Sequence, residues 1–135
     1  MSFYGPRGEP LFSNGQPMWR GLKGEALTNP EAEELLKSPR RQIMKTLSRQ
    51  GRTRIAVSTV FLVLDAGFME TVPVLWGTMV FGGTLDGNQW RYASRAAAKA
   101  GHRSAVGDVR ATIEYEQWRA AIRRRMHSSY RARWA

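Results

Sequence analysis

Residues 55–87, IAVSTVFLVLDAGFMETVPVLWGTMVFGGTLDG, carry only Asp65, Glu70 and Asp86 as charges in an otherwise strongly basic chain. Whether this block is a membrane span, a cofactor-binding loop or the core of a sheet decides the fold. Arg54 and Asp65 enclose ten uncharged residues, whereas a helical span needs about 20 apolar ones. The second apolar run is interrupted at Pro73, Gly77, Gly82 and Gly83, so length excludes a span. Ile55, Val57, Thr59, Phe61 and Val63 alternate with Ala56, Ser58, Val60, Leu62 and Leu64. That period of two, together with β-branched and aromatic enrichment, predicts strands near 54–64 and 72–81 joined by the loop DAGFMET.

Upstream, Gln50-Gly51 supplies a turn. The segment 41–49 fits a helix or a strand, and strand is favoured because it gives 55–64 a partner. Downstream, GGTLDGNQ turns into a short strand over Trp90–Ala93. Because GGTLDG lies between two strands and does not open a helix, it reads as a hairpin loop and not as a phosphate cradle.

Helix signals flank this sheet. Asn29 suits an N-cap, Pro30 the first helical position, and Glu31, Glu33 and Glu34 the positive end of the dipole, with Pro39 as the stop. Ser94 caps a second helix reaching about Ala111, with Ala98, Gly101, His102, Ala105 and Val109 on one face. The last segment, EYEQWRAAIRRRMHSSYRARWA, aligns Tyr115, Trp118, Ile122 and Met126 in a stripe with Arg119, Arg123 and Arg124 beside it. It reads as a separate basic amphipathic helix with a frayed tail. Gly5, Gly8, Gly15, Gly21 and Gly24, with Pro6, Pro10 and Pro17, make the start an irregular arm that Phe12 and Trp19 could pin.

The expected fold class is therefore α+β: a small antiparallel sheet of three or four strands packed by a helix, with an N-terminal helix and a basic C-terminal helix. Its organisation is an irregular arm over 1–28, a core domain over 29–112, and a basic helix and tail over 113–135.

A chain of 135 residues buries roughly two-thirds of its unfolded surface on folding, enough for one core without staples. The absence of cysteine removes disulfides, zinc-cysteine and iron-sulfur sites and thiol nucleophiles, and suits a reducing cytoplasm. The opening MSFYGPRGEPLF lacks the pattern of a secretory signal and reads as a mature cytoplasmic start. Lys and Arg number 21 against 11 acids, a net charge of +10. Such a field favours nucleic acid, a ribonucleoprotein or an acidic protein surface. Two segments concentrate it without any acid: Arg40, Arg41, Lys45, Arg49, Arg52 and Arg54 in the first, and Arg119, Arg123, Arg124, Arg125, Arg131 and Arg133 in the second.

Candidate acid-base groups are sparse. Asp65 reads as a turn residue more readily than as a ligand, and nothing in the spacing requires Asp65, Glu70 and His102 to meet. His102 lies on the apolar helix face, which favours a hydrogen-bonded core residue, while His127 stands among arginines. The pair forms no metal motif. Trp76 and Trp90 read as packing residues. Trp118 and Trp134 stand among cations, an arrangement that stacks bases while neutralising phosphates, or that packs Trp118 on the sheet and wets its arginines.

VSTVFLVLDAGF, then TMVFGGTLDGNQWRYAS, then AAAKAGHRSAV resemble, in that order, a family of small uncharacterised proteins from actinobacteria and their phages. That family's pattern runs VSTVFLGLDH, a Gly/Pro-rich loop, FETMVFGG, a short RY strand and a helix containing AGH. The likeness spans about residues 53–110, with a looser echo of YxxxGxPL at Tyr4 to Leu11. It implies a phage or actinobacterial setting, in a bacterial cytoplasm or with the virion, and no particular activity. Ala66 stands where the pattern has His, and Gly77 where it has Glu, so any family site built on those two groups is incomplete here.

The expected function is a non-enzymatic, phage-related binding protein that engages nucleic acid or a nucleic-acid-containing assembly. Its contact residues would be Arg40, Arg41, Arg49, Arg52, Arg54, Trp118, Arg119, Arg123, Arg124, Arg125, Arg131 and Arg133. No cofactor, metal or membrane is expected. The alternative is a protein-interaction module, such as a phage inhibitor of host defence or host machinery, or a minor virion component.

Overall fold

The computed structural model describes residues 12–13, 16–17, 19–64 and 74–134. Two short strands, β1 (Phe12–Ser13) and β2 (Gln16–Pro17), pair antiparallel ahead of α1 (Asn29–Leu36). A single turn of 3-10 helix at Pro39–Arg41 leads into β3 (Gln42–Gln50) and β4 (Thr53–Phe61). Then follow β5 (Trp76–Phe81), β6 (Gln89–Tyr92) and α2 (Arg95–Trp134). Strands β3 to β6 form one antiparallel sheet in chain order. The expected α+β class is therefore the observed one, with the segment 41–49 a strand as favoured.

Alternation dictates which face packs. Ile55, Val57, Thr59 and Phe61 on β4 are buried, as are Thr78 and Val80 on β5, and α2 lies across all four strands on this side. Ala98 and Ala105 are buried at the contact, and at Gly101 the ring of Tyr92 occupies the space a Cβ would take. Small helix residues thus bring the backbone close to the sheet. Burying each Val or Ile here contributes about 1.5–3 kcal/mol. One apolar cluster joins Ile55, Val57 and Val80 to Ala105, Val106 and Val109. A second joins Phe61 and Val63 to Ala32 of α1 and Leu75. Trp19 and Leu27 pack on the second cluster, so Trp19 pins its segment as expected, while Phe12's side chain lies outside the described residues. Phe61 and Trp76 meet edge to face at 5.5 Å. Val63, fully buried, holds φ at 68°, a left-handed conformation that strains a β-branched residue. Its carbonyl accepts from Arg20 N–H at 2.7 Å.

Two expectations about helices are corrected. The N-cap of α1 is Thr28, not Asn29. Glu31 explains the shift: its carboxylate accepts from Thr28 N–H at 3.2 Å and from the Thr28 hydroxyl at 2.8 Å, two bonds that Asn29 could not make to Ala32. The second correction concerns the two helices expected over 94–134, which are one helix of 40 residues, about 60 Å long. After Gly107 the chain has neither Gly nor Pro, so nothing stops it. Ser94 caps it as expected, its hydroxyl accepting from Ala97 N–H at 3.1 Å. The helix therefore runs without a break through the boundary placed at 112.

Candidate nucleic-acid interface

Between the two apolar clusters lies a polar layer. Thr59 Oγ1 stands 2.7 Å from His102 Nδ1 and 2.5 Å from Thr78 Oγ1, and Thr46 Oγ1 stands 2.8 Å from Nε2. His102 is 1% exposed, Thr59 0% and Thr78 2%, whereas Thr46 is half-buried. Among these bonds, one ordering uses every buried hydroxyl hydrogen: Thr78 donates to Thr59, Thr59 donates to Nδ1, and Nε2–H donates to Thr46. The imidazole is then neutral, and both ring nitrogens are engaged within the core. His102 is the hydrogen-bonded core residue that its position on the helix predicted. Asp65 and Glu70, the other two candidate acid-base groups, lie outside the described residues.

Burial first, then the neighbouring Arg103 guanidinium, holds the His102 imidazole below its ordinary value of 6.5. The unfolded chain therefore binds a proton that the folded chain refuses, and stability falls as pH drops below about 6.5. Thermal melting from pH 7.5 to 5 should show a falling midpoint, and His102→Gln should flatten the profile. A wild-type midpoint constant over that range would contradict the buried neutral ring.

The sheet face opposite α2 is different. The four strands contain no Asp or Glu, and all four of their cations, Lys45, Arg49, Arg54 and Arg91, alternate onto this outer face. Register sets Arg49 opposite Arg54 at the hairpin end, beside Arg52 in the turn. The next row is Leu47, Ala56 and Phe81, then Lys45, Ser58, Met79 and Gln89, then Val60, Gly77 and Arg91. Leu47 is 70% exposed and Phe81 48%. A shallow depression of about 230 Å³ lies here, floored by Val60, Leu62 and Met79 and edged by Ser58, Gln89 and Arg91. Gly77 is buried, with Leu62 and Arg91 close over the place a Cβ would take, and Arg91 Nη2 donates to Gln89 Oε1 at 3.1 Å along the rim.

The second cationic surface is the distal half of α2. Beyond Ile113 no described side chain of this helix belongs to either apolar cluster. Trp118 follows Ile113 by five residues, a rotation of about 140° around the helix, which turns it away from the sheet. Tyr115 is 55%, Trp118 59% and Met126 67% exposed. Tyr115 and Trp118 contact each other at 5.9 Å between ring centroids. Trp118 thus does not pack on the sheet, one of the two arrangements weighed from sequence. Six arginines and no acid follow Glu116. Arg119, Arg123, Arg124, Arg125 and Arg131 are exposed, while the side chain of Arg133 lies outside the described residues.

The sequence-selected arginines therefore do not form one patch. Arg49, Arg52 and Arg54 gather at the hairpin end, and the arginines of α2 line its distal half. Arg41 is half-buried and donates through Nε to the Phe61 carbonyl at 3.0 Å and through Nη1 to the Leu36 carbonyl at 3.1 Å. It ties α1 to the sheet. Arg40 borders a cleft of about 420 Å³ lined by Glu25, Glu31 and Glu34 together with Lys23, so it stands among carboxylates and apart from the other arginines. Missed from sequence were Lys45, Arg91 and Phe81 as members of the outer face, although alternation from Arg49 and Arg54 carries the signal.

No helix among the described residues is long and apolar enough to cross a membrane. Comparison with family models, with curated proteins and with solved structures gives no match to this chain.

Proposed function

We propose that this chain is a non-enzymatic, phage-related binding protein that engages nucleic acid, or an assembly containing it, through arginine contacts to phosphate. The observation that carries this reading is the distal half of α2: about 30 Å of helix bearing arginines, an exposed aromatic pair and no acid after Glu116. Guanidinium forks hold phosphate oxygens without reading sequence, and aromatic faces add stacking. The acid-free sheet face adds a second positive surface, while Glu31 and Glu34 of α1 and Glu25 sit around a different cleft.

A second reading is a protein-interaction module, favoured by the spacing of Tyr115, Trp118, Ile122 and Met126, which suits a helix lying in an acidic groove. Affinity purification from the host with and without nuclease separates the two. Nucleic-acid engagement predicts co-purifying species that are lost on nuclease treatment. A discrete protein partner that survives nuclease would replace it with the second reading.

A further inference from the structure

The outer sheet face carries more apolar surface than phosphate contact requires. A duplex shows a protein mainly phosphates and groove edges, so a basic face built for it needs no hydrophobic floor. Here the floor is the centre of the face: Ala56, Val60, Leu62 and Met79 half-buried, Phe81 48% and Leu47 70% exposed. Cations stand at its margins, with Lys45 on the outermost strand β3, Arg49 and Arg54 at the hairpin end, and Arg91 on the other outermost strand, β6. From Arg54 to the row of Arg91 is about 20 Å along the strands and about 10 Å across them. An extended stretch of a few nucleotides fits that diagonal.

The geometry points to unpaired nucleic acid on this face, its bases on the apolar floor and its phosphates on the surrounding cations. The inference rests on the nucleic-acid reading above and adds the strandedness of the ligand. Three features favour it over other occupants. Every charge on the four strands is positive, so a second copy laid face to face would oppose cation to cation. Phe81 presents an aromatic ring, which stacks any base irrespective of sequence. Phe81 also lines a depression whose polar rim of Ser58, Gln89 and Arg91 supplies hydrogen-bonding groups for a base edge. Unpaired bases offer their faces and Watson–Crick edges, and paired ones do not.

The test compares a labelled single-stranded oligonucleotide of mixed sequence with a hairpin duplex of equal phosphate number, using the full chain and two variants. Phe81→Leu keeps apolar bulk and removes the aromatic face. Arg49→Gln with Arg54→Gln removes charge from solvent-exposed positions. The single strand is expected to bind at least 10-fold more tightly than the duplex. Phe81→Leu should weaken it about 5-fold, in the range of one stacked base, while leaving duplex affinity unchanged. The double variant should weaken both ligands. Photo-crosslinking of a bromouracil strand should label the peptide containing Phe81. Equal affinity for both ligands, or no effect of Phe81→Leu on the single strand, overturns the inference while leaving the nucleic-acid reading standing. Absence of binding to either ligand overturns that reading as well.

Discussion

Replacing Arg119, Arg123, Arg124 and Arg125 together with glutamine is expected to lower affinity for nucleic acid on the order of 100-fold at about 0.1 M salt. Four lost phosphate contacts reduce the slope of log affinity against log salt by about 0.7 each for a single strand, so the loss shrinks as salt rises. All four side chains are exposed and stand beyond the last residue that packs on the sheet. Glutamine supports a helix nearly as well as arginine. Helical content and melting temperature should therefore hold while binding fails. If the quadruple variant bound with unchanged affinity, α2 would not be the phosphate-contacting element, and the second reading of its exposed stripe would gain.

The second large effect is structural. Gly82 closes β5 at φ +88°, where a Cβ would strike the carbonyl oxygen of Arg54. Its N–H donates to Asp86 Oδ1 at 2.7 Å, and Gly87 N–H returns to the Val80 carbonyl at 2.8 Å, so this loop fixes the register of β5 and β6. Gly82→Ala combines a left-handed conformation that alanine resists with a backbone collision. A loss of about 3 kcal/mol or more is expected, read as a lower midpoint in urea unfolding. Because the obstructed atom belongs to Arg54, the same change disturbs the cationic end of the outer face. An unchanged midpoint would show that the strands separate there without penalty, against the close approach described.

How legible this was in the sequence depends on how far each signal reaches. The period of two in 55–63 marks a two-faced strand, and that information is local: Ile55, Val57, Thr59 and Phe61 are buried where alternation put them. It does not tell which face is covered, because that depends on how many elements pack against the sheet. Among the described residues only α2 spans all four strands, and the face bearing Ala56, Ser58 and Val60 remains open. His102 was legible as a satisfied core histidine. Its partners Thr46 and Thr59 were not, lying 56 and 43 residues away on strands whose register is set by the whole sheet.

The single long helix was hidden for a related reason. Ala98, Ala105 and Val109 define one apolar phase, whereas Tyr115, Trp118 and Met126 define another rotated away from it, and a change of phase reads as two helices. In the structure the backbone is continuous and only the packing ends. The first phase answers the sheet, and the residues of the second phase stand exposed. Asn29 misled on a smaller scale, since cap propensity alone ranks it with Ser and Asp, while the two bonds that Thr28 donates to the Glu31 carboxylate select Thr28.

The central claim is that the arginines of α2 and of the outer face bind phosphate. Fluorescence anisotropy of a labelled single-stranded oligonucleotide, titrated with the full chain from about 50 to about 200 mM salt, tests it most directly. Binding is expected at the low-salt end, with log affinity falling linearly in log salt at a slope equivalent to several phosphates. No binding at about 50 mM salt, or an affinity indifferent to salt across the range, would contradict it.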